Sequence, residues 1–256
     1  MSMKDIVIYV DQGVSGDALR QTVKCLQQEV DLKAHRLKRM DAKNLINGGW
    51  ELKTALLIIP GGRDVYYHSA LDGKGVERVR NFIKSGGGYF GICAGAYFAA
   101  DAIEFDKGGQ LQVCGKRSLE FFPGMAIGPA YGRGKYSYES DAGVEAAHIS
   151  WKDEECFAYF NGGCYFDSAH RFSGVQVLSN YLNVEDRPAA IVECSVGKGR
   201  ALLTGVHIEY SAPFLSRGSR HLERIYPQLE KGEATRRKIF REILRGFNIK
   251  LQGESV

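Results

Sequence analysis

The segment Gly88-Tyr-Phe-Gly-Ile-Cys-Ala-Gly-Ala-Tyr97 carries the most informative pattern in the chain. Its first half, Tyr89–Ile92, is typical of a β-strand. The small and apolar residues that follow predict a helix that begins at Cys93 and continues to about Ala100. The pentapeptide Gly91-Ile-Cys-Ala-Gly95 has the form Gly-x-nucleophile-x-Gly, which is typical of a nucleophile on a sharp strand-to-helix turn.

A cysteine in this position has the surroundings that a nucleophilic thiol requires. The N-terminus of the following helix favours the thiolate, and the backbone N–H of Ala94 is a candidate donor to an oxyanion. The alternative is a small buried cysteine in a tight glycine-rich turn. The pentapeptide alone does not distinguish between the two.

Strands and helices alternate on the N-terminal side of this turn. Lys4–Val10 and Thr54–Ile59 are typical of strands, and Ser15 is the expected N-cap of a helix over about 17–29. Such alternation with short glycine-rich links predicts right-handed βαβ units and a parallel sheet. The expected class is therefore α/β.

The C-terminal side is richer in strands. Short β-like runs over 103–165 predict a β-rich extension of the same domain, and Gly197-Lys-Gly199 predicts a hairpin between two later strands. An amphipathic helix is expected over about 233–247. Its basic face is expected to be exposed to solvent and comprises Arg236, Arg237, Lys238, Arg241 and Arg245.

A histidine and a glutamate follow the apolar strand Arg200–Thr204. His207 and Glu209 are two residues apart, so on an extended segment both side chains project to one side. A base and the carboxylate that orients it can be supplied in this way. The alternative is a histidine at a strand edge beside an unrelated glutamate. No other histidine has a carboxylate placed in this way after a buried strand.

Pro60-Gly61-Gly62 ends the strand Thr54–Ile59. Because sites of open α/β sheets lie at the carboxyl ends of the strands, the N–H of Gly62 is a candidate second oxyanion donor. The alternative is a simple strand-ending turn. Gly61 and Asp64, which flank this glycine, are candidate substrate-binding residues.

Composition favours one domain over residues 1–256. The chain has 256 residues, 44% apolar content and a net charge of +4, which gives no strong case for a nucleic-acid partner. No apolar run approaches the roughly 20 residues of a membrane span, and no export signal is visible. Six scattered cysteines without CxxC or zinc-finger spacing favour free thiols, no metal site and a cytoplasmic location.

Taken together, these residues resemble the class I glutamine amidotransferase-like superfamily. The resemblance implies a flavodoxin-like three-layer sandwich with a mostly parallel central sheet, here with the β-rich extension. It also implies a Cys93–His207–Glu209 triad with Gly62 and Ala94 as oxyanion donors. Ile208 replaces the proline that is usual between the histidine and the glutamate, which changes local rigidity and not the chemistry.

A closer similarity is to the N-terminal domain of eukaryotic-type biotin–protein ligases, over about residues 5–210. The segments that carry it are Leu57–Gly62, Gly88–Tyr97, Phe121–Ala130, Tyr159–Gly163 and Val196–Glu209. In that family biotin activation belongs to a separate downstream domain, so the chain is not expected to ligate biotin by itself. By the same resemblance, and by its polar make-up, Asn161-Gly162-Gly163 is a candidate substrate loop, with an ordinary turn as the alternative.

The function that these residues favour is hydrolysis or transfer of a small amide through a thioester on Cys93, without a cofactor. A separate acceptor or ligase protein is an expected partner. The main alternative is a regulatory or metabolite-binding module that keeps the fold without catalysis. A redox or aldehyde-handling cysteine protein is less favoured, because the position after the first strand offers Asp11 and Gln12 instead of the glutamate usual there.

Overall fold

Strands and helices alternate through the first hundred residues, as the glycine-rich links predict. The computed structural model describes residues 3–132, 134–216 and 218–254, so residues 1, 2, 133, 217, 255 and 256 of the predicted domain lie outside the described residues. The first elements are β1 (Lys4–Tyr9), α1 (Gly16–Glu29), β2 (His35–Met40), α2 (Ala42–Asn47), β3 (Thr54–Ile59), α3 (Asp64–Leu71), α4 (Lys74–Lys84), β4 (Gly88–Ile92) and α5 (Ala94–Phe98).

The remainder of the chain consists mostly of strands and ends in one long helix. The elements are β5 (Ala100–Phe105), β6 (Val113–Lys116), β7 (Phe122–Gly128), β8 (Val144–Trp151), β9 (Glu154–Asn161), β10 (Tyr165–Phe166), β11 (Val175–Asn180), β12 (Ala189–Val196), β13 (Gly199–Thr204) and α6 (Arg220–Gly246).

The main sheet has eleven strands in the described part of the chain. Its parallel part runs in the order β2-β1-β3-β4-β13, and β12, β10, β7, β5 and β6 continue it mainly through antiparallel pairs, with β11 beside β12. The hairpin predicted at Gly197–Gly199 joins β12 to β13, where Val196 pairs with Gly199. The predicted mostly parallel central sheet with a β-rich extension is confirmed.

Helices cover both faces of the sheet, which gives three layers. Along β1, Val7 and Tyr9 pack into the core shared with α2 to α5, whereas Ile6 and Ile8 pack into the core shared with α1 and α6. Alternate residues of a strand face opposite sides of a sheet, so a strand covered on both faces must be apolar throughout. This explains the continuous apolar runs of β1 and β3.

The N-terminus of α1 agrees with the sequence-based prediction, and that of α6 does not. The side chain of Ser15 caps α1 by accepting a hydrogen bond from the Ala18 N–H. Helix α6 begins at Arg220, well before the predicted start at 233, and includes Pro227. Its additional turns are stabilised by Ile225 and Leu229, which are buried.

The helix that follows Cys93 is shorter than predicted. It ends at Phe98, because β5 begins at Ala100 and was not anticipated from the sequence. Five residues supply only a small helix dipole, so this helix gives little of the electrostatic support that the sequence predicts for a nucleophile at Cys93.

A second sheet, formed only by the β8–β9 hairpin, packs on the same side of the main sheet as α6. Ile149 and Phe160 contribute to the core that also contains Phe240 of α6. Glu242 of α6 accepts hydrogen bonds from the Trp151 indole at 2.9 Å and from the Lys152 ammonium at 2.7 Å. None of the helices in the described residues combines the length and the apolar character that a membrane span requires.

Candidate active site

Three adjacent parallel strands end at one edge of the sheet and carry the predicted site residues there. Ile59 of β3 pairs with Gly91 of β4, and Ile92 of β4 pairs with Thr204 of β13. The segments that follow these strands therefore begin side by side, and they carry Gly61, Cys93 and His207, respectively. The topology brings together residues that are more than a hundred positions apart in sequence.

Cys93 lies on a strained turn. Its φ of 51° and ψ of −104° fall outside the regions that non-glycine residues ordinarily adopt, at a cost of about 1–3 kcal/mol. The Cys93 N–H donates to the Thr204 carbonyl at 2.8 Å, which fixes the turn to the end of β13.

The glycines on either side of Cys93 are required by close packing. A Cβ at Gly91 would lie 2.6 Å from the Gly95 carbonyl oxygen, and a Cβ at Gly95 would lie 2.0 Å from the Ile59 carbonyl oxygen. Gly91 therefore lets the strand pack closely on the helix after the turn, and Gly95 lets that helix approach the end of β3.

His207 and Glu209 form a buried hydrogen-bonded pair. The imidazole Nδ1 is 2.8 Å from Oε1 of Glu209, and the two side chains are 5% and 0% exposed. The His207 N–H donates to the Tyr159 carbonyl at 2.8 Å, so strand β9 fixes the backbone at the histidine. Because Nδ1 is engaged, Nε2 is the nitrogen that remains for the Cys93 thiol, which interacts with the same imidazole.

The surroundings of His207 favour its charged form. Burial alone would lower the pKa of His207, but the Glu209 carboxylate and the Cys93 thiol raise it to about 10. The imidazolium form places a positive charge beside the Cys93 sulfur.

Aromatic rings confine the imidazole. The centroid of the His207 ring is 5.6 Å from that of Tyr159 and 4.6 Å from that of Tyr210, and the two tyrosine rings stack on each other at 4.3 Å. These contacts leave the imidazole little freedom to rotate away from Glu209.

The loop after β3 fits closely against the histidine. A Cβ at Gly61 would lie 2.6 Å from Cε1 of His207, and a Cβ at Gly62 would lie 2.0 Å from the Gly13 carbonyl oxygen. The Tyr67 hydroxyl lies 3.2 Å from the Gly61 carbonyl oxygen that it can donate to. Among the described residues, no acceptor is bonded to the N–H of Gly62 or of Ala94, so both donors remain available to an oxyanion.

The loop Asn161-Gly162-Gly163 lies against the cysteine. The Cys93 thiol is 3.9 Å from the Asn161 carbonyl oxygen, which is a weak hydrogen bond. A Cβ at Gly163 would lie 1.7 Å from the Gly205 carbonyl oxygen, so this loop packs tightly against the segment that leads to His207. In the described part of the chain, the buried Oδ1 of Asn161 has no hydrogen-bond partner.

Asp64 is engaged in a buried ion pair. Its Oδ2 accepts a hydrogen bond from Nε of Arg117 at 2.6 Å, and the two side chains are 11% and 5% exposed. Burial raises the pKa of Asp64, although Arg117 opposes that shift. The carboxylate thus joins α3 to the end of β6, and its contact with a substrate stays a prediction.

A cleft of about 400 Å³ opens beside Gly62 and Asn161. Its lining includes Gln12, Ser15, Gly62, Arg63, Tyr136 and Asn161. The Arg63 guanidinium lies over the Tyr138 ring, 3.7 Å from its centroid, and 3.3 Å from the Glu139 carboxylate. The lining of the cleft therefore includes the candidate oxyanion donor Gly62, Asn161 of the candidate substrate loop and the cationic side chain of Arg63.

Arg236 belongs to the surroundings of the site, although the sequence placed it on the exposed face of the C-terminal helix. It is 3% exposed, and its Nη1 donates to the Ile208 carbonyl at 2.6 Å. The helical period contained this signal, because position 236 precedes the apolar residues Ile239 and Phe240 by three and four and so lies on their face. The expectation of a wholly solvated basic face is therefore wrong for Arg236.

Within the described residues, no group of three or more histidine, cysteine, aspartate or glutamate side chains is arranged to hold a metal ion. All six cysteines are free thiols, and only that of Cys114 is exposed.

Comparisons with known proteins agree with this architecture. The family model of the biotin–protein ligase N-terminal domain matches residues 4–255. The chain is 43% identical over 238 residues to an uncharacterized protein of Chlamydia muridarum and covers 91% of each chain. It is 34% identical over 254 residues to a biotin–protein ligase of Schizosaccharomyces pombe, covering 96% of this chain but only 38% of that protein.

The fold is also that of a known amidotransferase structure. A glutamine amidotransferase from Thermotoga maritima superposes with a TM-score of 0.51 at 12% identity, over 96% of this chain and 99% of that one. At this identity the likeness concerns the fold alone, and it confirms the predicted α/β class. With a family model that spans nearly the whole length, the chain belongs to the biotin–protein ligase N-terminal domain family.

Proposed function

We propose that the chain is a cysteine-dependent amidohydrolase or amidotransferase-like protein that acts on a small amide through a thioester. The observation that carries the proposal is the buried His207–Glu209 pair beside Cys93, with Nδ1 and Oε1 2.8 Å apart and Cys93 on a strained turn. Strain of this kind clusters at functional sites, and a nucleophile, a base and an orienting carboxylate are the parts that acyl transfer needs.

In the first half of the reaction, His207 already holds the proton of the Cys93 thiol as an imidazolium, and the Cys93 thiolate attacks the amide carbonyl carbon. The tetrahedral oxyanion is stabilised by the N–H groups of Gly62 and Ala94. His207 then returns the proton to the departing nitrogen as the C–N bond breaks, which leaves a thioester on Cys93 and releases ammonia or an amine.

In the second half, His207 accepts a proton from water as the water oxygen attacks the thioester. The C–S bond breaks and the carboxylic acid leaves. Glu209 holds the imidazole orientation through both halves and stabilises its positive charge. No step requires a cofactor.

The cleft lined by Gly62, Arg63 and Asn161 is the proposed substrate entrance. If the nitrogen product is transferred and not released, the acceptor is a separate site or protein, such as a ligase partner. We place the reaction in the cytoplasm, a compartment that suits six free thiols.

A non-catalytic regulatory or metabolite-binding module is the second candidate. It is favoured by the match to a biotin–protein ligase of which this chain spans only 38%, and by the 6% and 4% exposure of Cys93 and His207. Such a module would bind a small molecule in the same cleft without turning it over. Biotin ligation by this chain alone is not part of either proposal.

The deciding experiment is the rate at which iodoacetamide alkylates Cys93 as a function of pH, resolved by peptide mass mapping. The exposed thiol of Cys114 serves as the internal reference. Wild type is expected to react at Cys93 near neutral pH, and His207→Ala is expected to slow that reaction by about 10²-fold. His148→Ala is the matched control, because His148 forms a 2.8 Å pair with Glu155 and lies outside the site.

Two results would count against catalysis. One is a Cys93 that reacts no faster than the buried Cys25, and the other is a rate that His207→Ala leaves unchanged. Either would favour the binding module. If Cys93 is activated, ammonia release from glutamine and other small primary amides is the next measurement, with Cys93→Ala as the blank.

A further inference from the structure

A partly buried ion pair of α6 contacts the backbone between His207 and Glu209. Arg236 binds Glu233 in a bidentate manner, with Nε 3.0 Å from Oε2 and Nη2 2.7 Å from Oε1. The two side chains are 3% and 22% exposed. Their backbone positions are one helical turn apart, so a rigid element presents them together.

Both members of this pair also bind the segment that carries the site. Arg236 Nη1 donates to the Ile208 carbonyl at 2.6 Å, between His207 and Glu209. Glu233 accepts from the Ser211 hydroxyl at 2.7 Å and from the Ala212 N–H at 3.0 Å. Helix α6 therefore fixes the Ile208–Glu209 peptide group through Arg236, and it fixes the chain at 211–212 through Glu233.

Stability alone is a weak reason for such an arrangement. Removing a guanidinium and a carboxylate from water costs free energy that their attraction often only balances, so a buried ion pair adds little to stability against apolar residues of the same size. The pair instead fixes the orientation of the Arg236 guanidinium. A planar guanidinium with two hydrogen bonds to one carboxylate holds its remaining donor in a defined position.

We infer that Arg236 and Glu233 are positioning residues that hold the 207–212 segment so that Glu209 orients His207 toward Cys93. The inference rests on the proposed function, since it assigns a role in the same site. Neither residue touches the reacting atoms, so their effect passes through His207. Loss of the Arg236 hydrogen bond lets the Ile208–Glu209 peptide rotate and weakens the bond between Glu209 and Nδ1.

The test compares Arg236→Gln with Arg241→Gln. Arg241 lies on the same helix and forms a 2.7 Å ion pair with Glu29, but it does not bind the 207–212 segment. Arg236→Lys, which keeps the charge and one donor, provides a milder variant if Arg236→Gln folds poorly. Chemical denaturation measures the free energy of unfolding of each variant. A change in alkylation rate can then be compared with any loss of stability.

The first readout is the pH profile of Cys93 alkylation by iodoacetamide. Arg236→Gln is expected to slow the reaction near neutral pH by about tenfold or more, Arg236→Lys by less, and Arg241→Gln not at all. A merely structural role would change stability without changing the pH profile of the folded protein. Equal slowing by Arg236→Gln and Arg241→Gln, or slowing by neither, would overturn the inference.

The second readout does not depend on the reactivity of Cys93. A proton held between Nδ1 of His207 and Glu209 gives a far-downfield proton NMR resonance, assigned by its loss in His207→Ala. Arg236→Gln is expected to broaden or abolish it, whereas Arg241→Gln is expected to retain it. If His207→Ala leaves Cys93 alkylation unchanged, the proposed function fails, and this resonance still decides whether Arg236 orders the pair. A resonance that persists in Arg236→Gln would show that it does not.

Discussion

At Gly61 the absence of a side chain sets the position of the imidazole. The residue does not need a left-handed backbone, so alanine is conformationally acceptable there. Its Cβ, however, would lie 2.6 Å from Cε1 of His207, which is closer than real carbon contacts allow. The ring must then move, and it can do so only by disturbing its hydrogen bond to Glu209 or its contacts with the rings of Tyr159 and Tyr210.

Gly61→Ala is therefore expected to slow Cys93 alkylation by about 10²-fold near neutral pH, because small displacements of a catalytic group are costly. Rates are measured by mass mapping after quenching at set times. Gly16→Ala is the control, since a Cβ there has no atom within 4 Å. Equal rates in the two variants would mean that the imidazole tolerates displacement.

The charge of His207 also gives a prediction for stability against pH. Its folded-state pKa is about 10, against an ordinary value of 6.5. A pKa raised on folding contributes stability that is fully present below the unfolded pKa and is lost as pH rises through the folded one. The difference in unfolding free energy between wild type and His207→Gln should therefore shrink between about pH 6.5 and pH 10, at up to about 1.4 kcal/mol per pH unit.

Urea unfolding of both proteins at several pH values across this range measures that difference. Groups that do not interact with His207 cancel in the subtraction, so the trend reports His207 together with its coupled partners Glu209 and Cys93. A difference that stays constant, or that grows as pH rises, would contradict a charged imidazole in the folded state.

Among the helices, α6 ties the site to α1, which packs on the same face of the sheet. Besides the Arg236–Glu233 pair, it supplies Arg237 and Arg241, which both bind the carboxylate of Glu29 at the end of α1. That carboxylate is 1% exposed. Although burial raises the pKa of Glu29, hydrogen bonds from the two arginines hold it below its usual value.

Glu29→Gln is expected to lower the free energy of unfolding at pH 7 by about 1.5–3 kcal/mol, because a charged hydrogen-bond partner is lost from a buried site. Since the pKa of Glu29 is depressed on folding, its contribution is present above about pH 4.3 and is lost as pH falls through the folded value. Denaturant titrations should show a larger difference from wild type at pH 7 than at pH 3.

Glu254→Gln is the matched surface control. Glu254 also pairs with arginines of α6, but its side chain is 33% exposed, so solvent screens the pair and its loss should lower stability much less than the loss of Glu29. Equal losses in the two variants would mean that burial does not strengthen the Glu29 interaction.

Some elements could be predicted from the sequence because a local rule determines them. Ser15 caps α1, Gly197–Gly199 closes a hairpin, and the apolar run of β3 lies inside the sheet. The prediction for helix α5 is too long, because alanine favours a helix and the pattern of a short apolar run does not exclude one; only the pairing of β5 with β7 places Ala100 in a strand.

The residues of the candidate site that directly follow strands could be predicted from the sequence. Cys93 and His207 each follow a strand that the sequence identifies, and parallel strands end at one edge. The role of Arg236 depends instead on tertiary contacts with the Ile208 carbonyl, which no local pattern specifies. The ion pair of Asp64 with Arg117 joins residues 53 positions apart and was inaccessible for the same reason.

Across the fold, the six cysteines lie in different environments. Cys25 and Cys156 are buried in the core under α1 and α6, and Cys164 and Cys194 in the core on the other face. Burial raises the pKa of Cys25, Cys156 and Cys194 to about 12 and that of Cys164 well above its ordinary value. Cys114 is exposed, and Cys93 lies beside His207.

Brief treatment of the native protein with iodoacetamide at neutral pH should therefore label two thiols first, those of Cys93 and Cys114. The other four thiols should be labelled only after unfolding, because they are both shielded and protonated. In denaturant without reductant all six should react, since each is a free thiol. A cysteine that requires reductant would contradict the free-thiol assignment. Early labelling of Cys164 or Cys194 would instead mean that the core next to α5 opens in the native state. The close packing around Cys93 would then be lost whenever that core opens.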